Sequence, residues 1–125
     1  MLYHTAICVL DVARSARFYD PVMAVLGYSR VHDLAPEAIA YGETRGEFWI
    51  QTPKNQGSPD ISRGGHYAFT ASDRAMVEAF HAAAIQAGGV SHLAPGHYPQ
   101  YHPDYIGAVV ADLDTNVVEV LVYPR

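Results

Sequence analysis

The chain has 125 residues, half of them hydrophobic and 17% charged, a composition that suits one globular domain and excludes an intrinsically disordered segment. Its formal net charge is -5 with eight lysines and arginines scattered along the sequence, so no basic footprint exists for nucleic acid or an anionic membrane surface. No apolar run approaches the roughly 20 residues of a membrane span, Met1-Leu2-Tyr3-His4 carries no leader pattern, and the lone Cys8 cannot form an internal disulfide, so a cytoplasmic, reducing compartment is expected.

Leu2 to Leu10 is short, apolar and rich in β-branched residues, which predicts a strand, with Cys8 as a buried, inert thiol inside it. Asp11 offers an N-cap to a helix over Ala13–Leu26, whose apolar positions Ala16, Phe18, Tyr19, Val22, Met23, Val25 and Leu26 fit a helical stripe. Pro21 inside that helix removes a backbone donor and should kink or split it, and Gly27 should end it. Three short strands follow, at Tyr28–Leu34, Ala38–Tyr41 and Glu47–Thr52, with Gly42 and Gly46 bracketing the last turn. The polar stretch Pro53–Gly65 reads as a connecting loop.

The second half repeats this order. His66–Ala71 alternates as a strand, Ser72 or Asp73 caps a helix over Arg74–Ala87, and Gly88-Gly89 stops it. Val90–Leu93 is a short strand, Ala94–Asp104 a loop rich in His, Pro and Tyr, and Tyr105–Ala111 and Val117–Tyr123 are strands joined by Asp112-Leu113-Asp114-Thr115-Asn116. The halves align without a gap at their beginnings. His4 and His66 are 66 − 4 = 62 apart, and the same offset pairs Ala6 with Ala68, Asp11 with Asp73, Phe18 with Phe80 and Gly27 with Gly89. Register held through a strand, a helix and a stop indicates an internal duplication. The expected organisation is one α+β domain of two βαβββ modules, about 1–53 and 65–125, with a linker over about 54–64.

A duplicated βαβββ unit with a histidine near the start of each half resembles the vicinal-oxygen-chelate superfamily, which holds glyoxalases, extradiol dioxygenases and bleomycin-resistance proteins. The similarity is greatest to its small bacterial lactoylglutathione lyase-like branch. It runs through Phe48-Trp49-Ile50, Gly65-His66-Tyr67-Ala68-Phe69, Tyr101-His102-Pro103-Asp104-Tyr105 and Val118-Glu119-Val120. The resemblance implies an open-barrel arrangement of the two modules, a homodimer and a small-molecule ligand. It also implies metal positions on the first and last strand of each module, which here fall on His4, His66 and Glu119. Two imidazoles and a carboxylate suit Zn²⁺, Ni²⁺, Mn²⁺ or Fe²⁺ and leave coordination positions for substrate oxygens.

The fourth position falls on Trp49, which cannot bind metal; Gln51 is a weak substitute on the same strand face, and Glu47 lies one step toward the strand's start. Glu119 has two readings, inward as a ligand or outward to solvent, and an unpaired inward carboxylate is costly. His102 and Tyr105 are the expected proton donors or shuttles, whereas His97 reads as part of a surface loop and His32, His81 and His92 as residues without a role. The turn Asp112–Asn116 stands where relatives carry Asp-Pro-Asp-Gly-Asn, with Asn116 expected to take the left-handed position left by the missing glycine. The leading expectation is a metal-dependent enzyme, of lyase or isomerase type or else a dioxygenase, acting on an oxygen-chelating substrate. The alternative is a metal-free binding protein of the antibiotic-sequestering kind, with Trp49 stacking a planar ligand.

Overall fold

The structure is a computed structural model, described here for residues 1–53 and 61–122. Each half forms one βαβββ module. In the first, β1 (Thr5–Cys8), α1 (Val12–Val25), β2 (Ser29–Leu34), β3 (Ala38–Gly42) and β4 (Phe48–Gln51) give a sheet of order β1-β4-β3-β2. In the second, β5 (His66–Ala71), α2 (Arg74–Gln86), β6 (Val90–His97), β7 (Ile106–Ala111) and β8 (Val117–Val122) give the same order, β5-β8-β7-β6. In both, the first strand pairs in parallel with the last, and the other pairings are antiparallel. The expected linker falls largely on residues 54–60, outside the described residues.

Both helices start where their sequences provide a side-chain acceptor. Asp11 accepts from the Arg14 amide at 3.0 Å, and Asp73, rather than Ser72, accepts from the Met76 amide at 2.8 Å. Gly27 and Gly88 sit just past the helix ends in the left-handed region, at φ +83° and +99°. Pro21 does not split α1 as its chemistry suggested. Both Pro21 and Arg17, whose carbonyl it leaves without a helical donor, lie on the exposed side of the helix, where the missing bond costs least.

The core is the packing of each sheet on its helix and of the helices on each other. Val12, Ala16, Phe18, Tyr19, Val22 and Met23 of α1 are buried, as are Val77, Phe80 and Ala84 of α2, and α1 packs against α2. Each fully buried Val, Phe or Met contributes about 1.5–3 kcal/mol. Gly89 makes this contact possible: a Cβ there would lie 2.7 Å from the Phe18 ring and 2.9 Å from the Ala111 carbonyl oxygen.

Polar contacts fasten the same junction. The Tyr19 hydroxyl donates to Asp112, Arg14 pairs with Asp114 at 3.2 Å, and Asp112 also accepts from the amides of Asp114 and Asn116. Burial, and then the adjacent Asp112 carboxylate, hold the Tyr19 phenol well above its ordinary pKa. The left-handed residue of this turn is Thr115, at φ 67°, and not Asn116. Asn116 is fully buried and committed elsewhere, donating to Asp112 and the Ser62 carbonyl and accepting from the Gly65 amide, so the strain passes to its exposed neighbour.

This arrangement positions the site. Alternation puts Val118 and Val120 in the core and Val117, Glu119 and Leu121 on the sheet face away from α2. In module 1 the corresponding face carries Ala6, Cys8, Trp49 and Gln51, with Cys8 half-buried rather than enclosed.

Candidate functional site

Glu119 sits mid-strand on β8, between Ala68 of β5 and Val109 of β7. Its small and branched neighbours leave the carboxylate room, and two polar side chains converge on it. His66, the first residue of β5, holds Glu119 Oε1 through Nε2 at 2.8 Å. The Tyr105 hydroxyl donates to Oε2 at 2.6 Å. The carboxylate is thus neither buried without partners nor turned freely to solvent; its side chain is 17% exposed, against 60% for His66.

Tyr105 reaches Glu119 because Gly107 is bare. A Cβ at Gly107 would lie 2.8 Å from the Tyr105 hydroxyl and 2.7 Å from the Val120 carbonyl oxygen. Burial, and then the bond to Glu119, raise the Tyr105 phenol well above its ordinary value. It therefore remains a proton donor at any physiological pH, aimed at a carboxylate. His66, Leu93, Tyr101, Tyr105, Val109 and Glu119 line a cavity of about 290 Å³ on this face. The arrangement is a carboxylate, an imidazole and a phenol meeting at one apolar-walled hollow, a setting for proton transfer or for holding a cation with room for a small ligand.

The other expected residues take different places. His102 is exposed, is not among the lining residues, and accepts from the Asp104 amide through Nδ1 at 3.1 Å. His97 ties to the Pro103 carbonyl at 2.6 Å, bracing the connection between β6 and β7. His81, assigned no role from sequence, bonds Ser91 at 2.7 Å, and burial lowers its pKa. His4 remains with module 1, exposed, its ring edge-on to Trp49 at 6.3 Å. The modules meet through their helices and through Phe48 of β4, whose ring lies edge-on to Tyr67 and Phe69 of β5 at 5.9 and 5.4 Å, while among the described residues no strand of one sheet pairs with a strand of the other. Among the described residues no group of three or more His, Cys, Asp or Glu gathers to hold a metal ion. Of the three expected metal positions, His66 and Glu119 come together within the described residues and His4 does not join them. Leu93, Val109 and Tyr101 were not singled out as lining residues from sequence, although alternation along β7 puts Val109 on the face shared with Tyr105.

Residues 2–120 match the Glyoxalase/Bleomycin resistance protein/Dioxygenase superfamily. The chain belongs to that superfamily. It is similar over 99% of both chains to a glyoxalase/bleomycin resistance protein from Albidiferax ferrireducens T118, at 30% identity and a TM-score of 0.82. It shares its fold with a lactoylglutathione lyase from Agrobacterium tumefaciens, at 19% identity and a TM-score of 0.71 over 98% of this chain and 92% of that one. TioX from Micromonospora sp. ML1 has the same fold, at 13% identity and a TM-score of 0.71 over 98% and 100% of the two chains. No curated protein matches the sequence.

Within this superfamily member the two modules can be compared residue by residue. Ala6 pairs with Trp49 as Ala68 pairs with Glu119, so Trp49 occupies in module 1 the station that Glu119 occupies in module 2. The Trp49 ring lies parallel to His32, with centroids 5.5 Å apart and planes at 14°, and its indole N–H donates to the Gly46 carbonyl at 3.3 Å. Gln51 is buried one step further along the same face.

Proposed function

We propose that the protein is a metal-dependent lyase or isomerase acting on a small substrate with adjacent oxygen atoms, with Glu119 at the centre of its site. The observation that carries this reading is the convergence of His66 Nε2 and Glu119 Oε1, 2.8 Å apart, on the wall of a ligand-sized cavity. Imidazole nitrogen and carboxylate oxygen suit a borderline divalent cation such as Zn²⁺, Ni²⁺, Mn²⁺ or Fe²⁺, and two donors make half of a coordination shell. His4 is the third donor, and it comes from module 1 of a second copy of the chain, because in its own chain it stands at the start of the other module and does not join His66 and Glu119. The protein then works as a homodimer. A cation held there would supply Lewis-acid polarisation of the substrate oxygens.

The chain's own residues supply the proton chemistry. Glu119 is the base, a carboxylate already oriented by two hydrogen bonds. Tyr105 remains protonated and stabilises the carboxylate or donates to a developing oxyanion beside it. Leu93 and Val109 give the hollow an apolar wall beside these groups.

Elemental analysis of protein purified without an affinity tag or chelator, then dialysed and re-loaded with single divalent metals, tests the reading. About one tightly held metal per chain is expected, lost in Glu119→Ala with the fold intact by circular dichroism. Metal content unchanged in that variant would remove Glu119 from the site. A second reading has an observation of its own: the Trp49–His32 stack is a ready platform for a planar ligand in a metal-free binding protein. Failure of the protein to take up any metal near neutral pH would favour it.

A further inference from the structure

The cavity beside Glu119 has a composition that narrows its ligand. Its polar groups, His66, Tyr105 and Glu119, stand together and bond one another. The remaining wall is Leu93, Val109 and Tyr101, and among the described residues no lysine or arginine lines it. Tyr101 is the unusual member. It is 64% exposed, and its ring packs edge-on to Tyr105 at 5.3 Å and tilted against Tyr98 at 6.3 Å.

The segment that carries it is braced by hydrogen bonds. Tyr98 and Tyr105 bond across it backbone to backbone at 3.0 Å, the Tyr101 amide donates to the Tyr98 carbonyl at 3.1 Å, and the Tyr98 hydroxyl donates to the Ala94 carbonyl at 2.6 Å. A large aromatic side chain packed against its neighbours at the lip of a hollow leaves apolar area in water that a ligand can cover.

We infer that the substrate bears a flat, uncharged aryl or similarly apolar group next to its paired oxygens, and that Tyr101 is the residue that selects for it. This deepens the proposed function and rests on it for the placement of the oxygens at Glu119. Away from His66 and Glu119 the described wall is apolar or phenolic, so a second anionic group on the ligand would find no charged side chain there and its desolvation would go uncompensated. The hollow of about 290 Å³ that this chain contributes has room for a compact aromatic group. The oxygens meet Glu119, His66 and Tyr105 at one end, and the ring lies between Tyr101 and the Leu93–Val109 wall at the other.

Calorimetric titration of the intact protein with two neutral probes tests this: 2-hydroxyacetophenone and hydroxyacetone, which share a hydroxyl next to a carbonyl and differ by phenyl for methyl. Saturable binding of the aryl probe, at least about ten-fold tighter than the methyl probe, is expected. Tyr101→Ala should weaken the aryl probe about ten-fold while Tyr101→Phe retains it, because the ring and not the hydroxyl does the selecting. Equal affinity for the two probes, no binding of the aryl probe, or aryl binding indifferent to Tyr101→Ala would each overturn the inference. A change of oligomeric state in Tyr101→Ala without a change in probe affinity would mean that a second copy covers the ring, and would overturn it too. Glu119→Gln separates the two levels of the argument. If aryl binding persists undiminished in that variant but still depends on Tyr101, the apolar subsite stands and the chelating role of Glu119 falls.

Discussion

The two modules share a backbone plan and differ in what they place at its corresponding stations. Sheet order, strand pairing and helix caps match, from Asp11 and Asp73 at the helix starts to Gly27 and Gly88 past the ends. At the middle of the last strand, however, module 2 has Glu119 bonded to His66 and Tyr105, and module 1 has Trp49 stacked on His32. The connection before the third strand differs too: residues 35–37 in module 1 against 98–105 in module 2, and the longer one brings Tyr98, Tyr101 and Tyr105 to the sheet face. Duplication preserved the packing that makes the elements, since core positions tolerate little change in volume. The outward sheet face is free of that constraint, and there the chemistry diverged.

The sharpest way to break this asymmetry is to remove it. Trp49→Glu puts a carboxylate at the station equivalent to Glu119, next to His4. In a site assembled from module 1 of one copy and module 2 of another, it should tighten metal retention by about ten-fold or more by supplying a fourth ligand. Loss of the half-buried ring should cost about 1–2 kcal/mol in thermal or urea unfolding. Unchanged metal affinity in a folded Trp49→Glu protein would mean that the two faces never meet.

A smaller effect separates the tyrosines by partner. Tyr19 and Tyr41 bond Asp112 and Asp20 at structural positions, and Tyr105 bonds Glu119; burial first and the carboxylate next raise all three phenols above their ordinary value of about 10. A raised folded pKa means that the folded state holds these protons more tightly than the unfolded state. The stability they contribute is therefore complete below about pH 10 and lost as pH climbs through the raised values. In ultraviolet titration these three should ionise only as the protein unfolds. Glu119→Gln should bring Tyr105 alone part of the way back, since burial remains when the charge is gone. Coincident titration of all three in that variant would show that Glu119 does not act on Tyr105.

Much of this was legible in the sequence, for identifiable reasons. The 62-residue offset exposed the duplication because the repeat carries the first strand and the helix cap with it, although the second helix is one residue shorter and its left-handed glycine is Gly88 rather than the Gly89 that the offset pairs with Gly27. His66–Ala71 was readable to the residue because its alternation is strict. Strand β6 runs on to His97, where Pro95 and Gly96 had suggested a loop; its register against β7 shifts between Leu93 and Gly96, which accommodates those residues. Glu119 and Tyr105 come together as their shared sheet face allows. That His102 accepts a bond from its own loop, and that Tyr101 lines the cavity in its stead, depends on how residues 98–105 fold back, and no periodicity encodes that. The separation of His4 from His66 is likewise invisible in sequence, because either pairing of the modules satisfies the same repeat.

That separation is also where the account is most exposed. Chains carrying His4→Ala and chains carrying His66→Ala should each fail to retain metal as homodimers. Unfolding and refolding them together in equal amounts should restore about a quarter of the wild-type metal content, since half the dimers are mixed and each mixed dimer regains one of its two sites. Recovery of metal on mixing, measured by elemental analysis after gel filtration, is the result this account predicts. No recovery from well-folded mixed dimers would contradict it, and would place His4 outside the site that His66 and Glu119 begin.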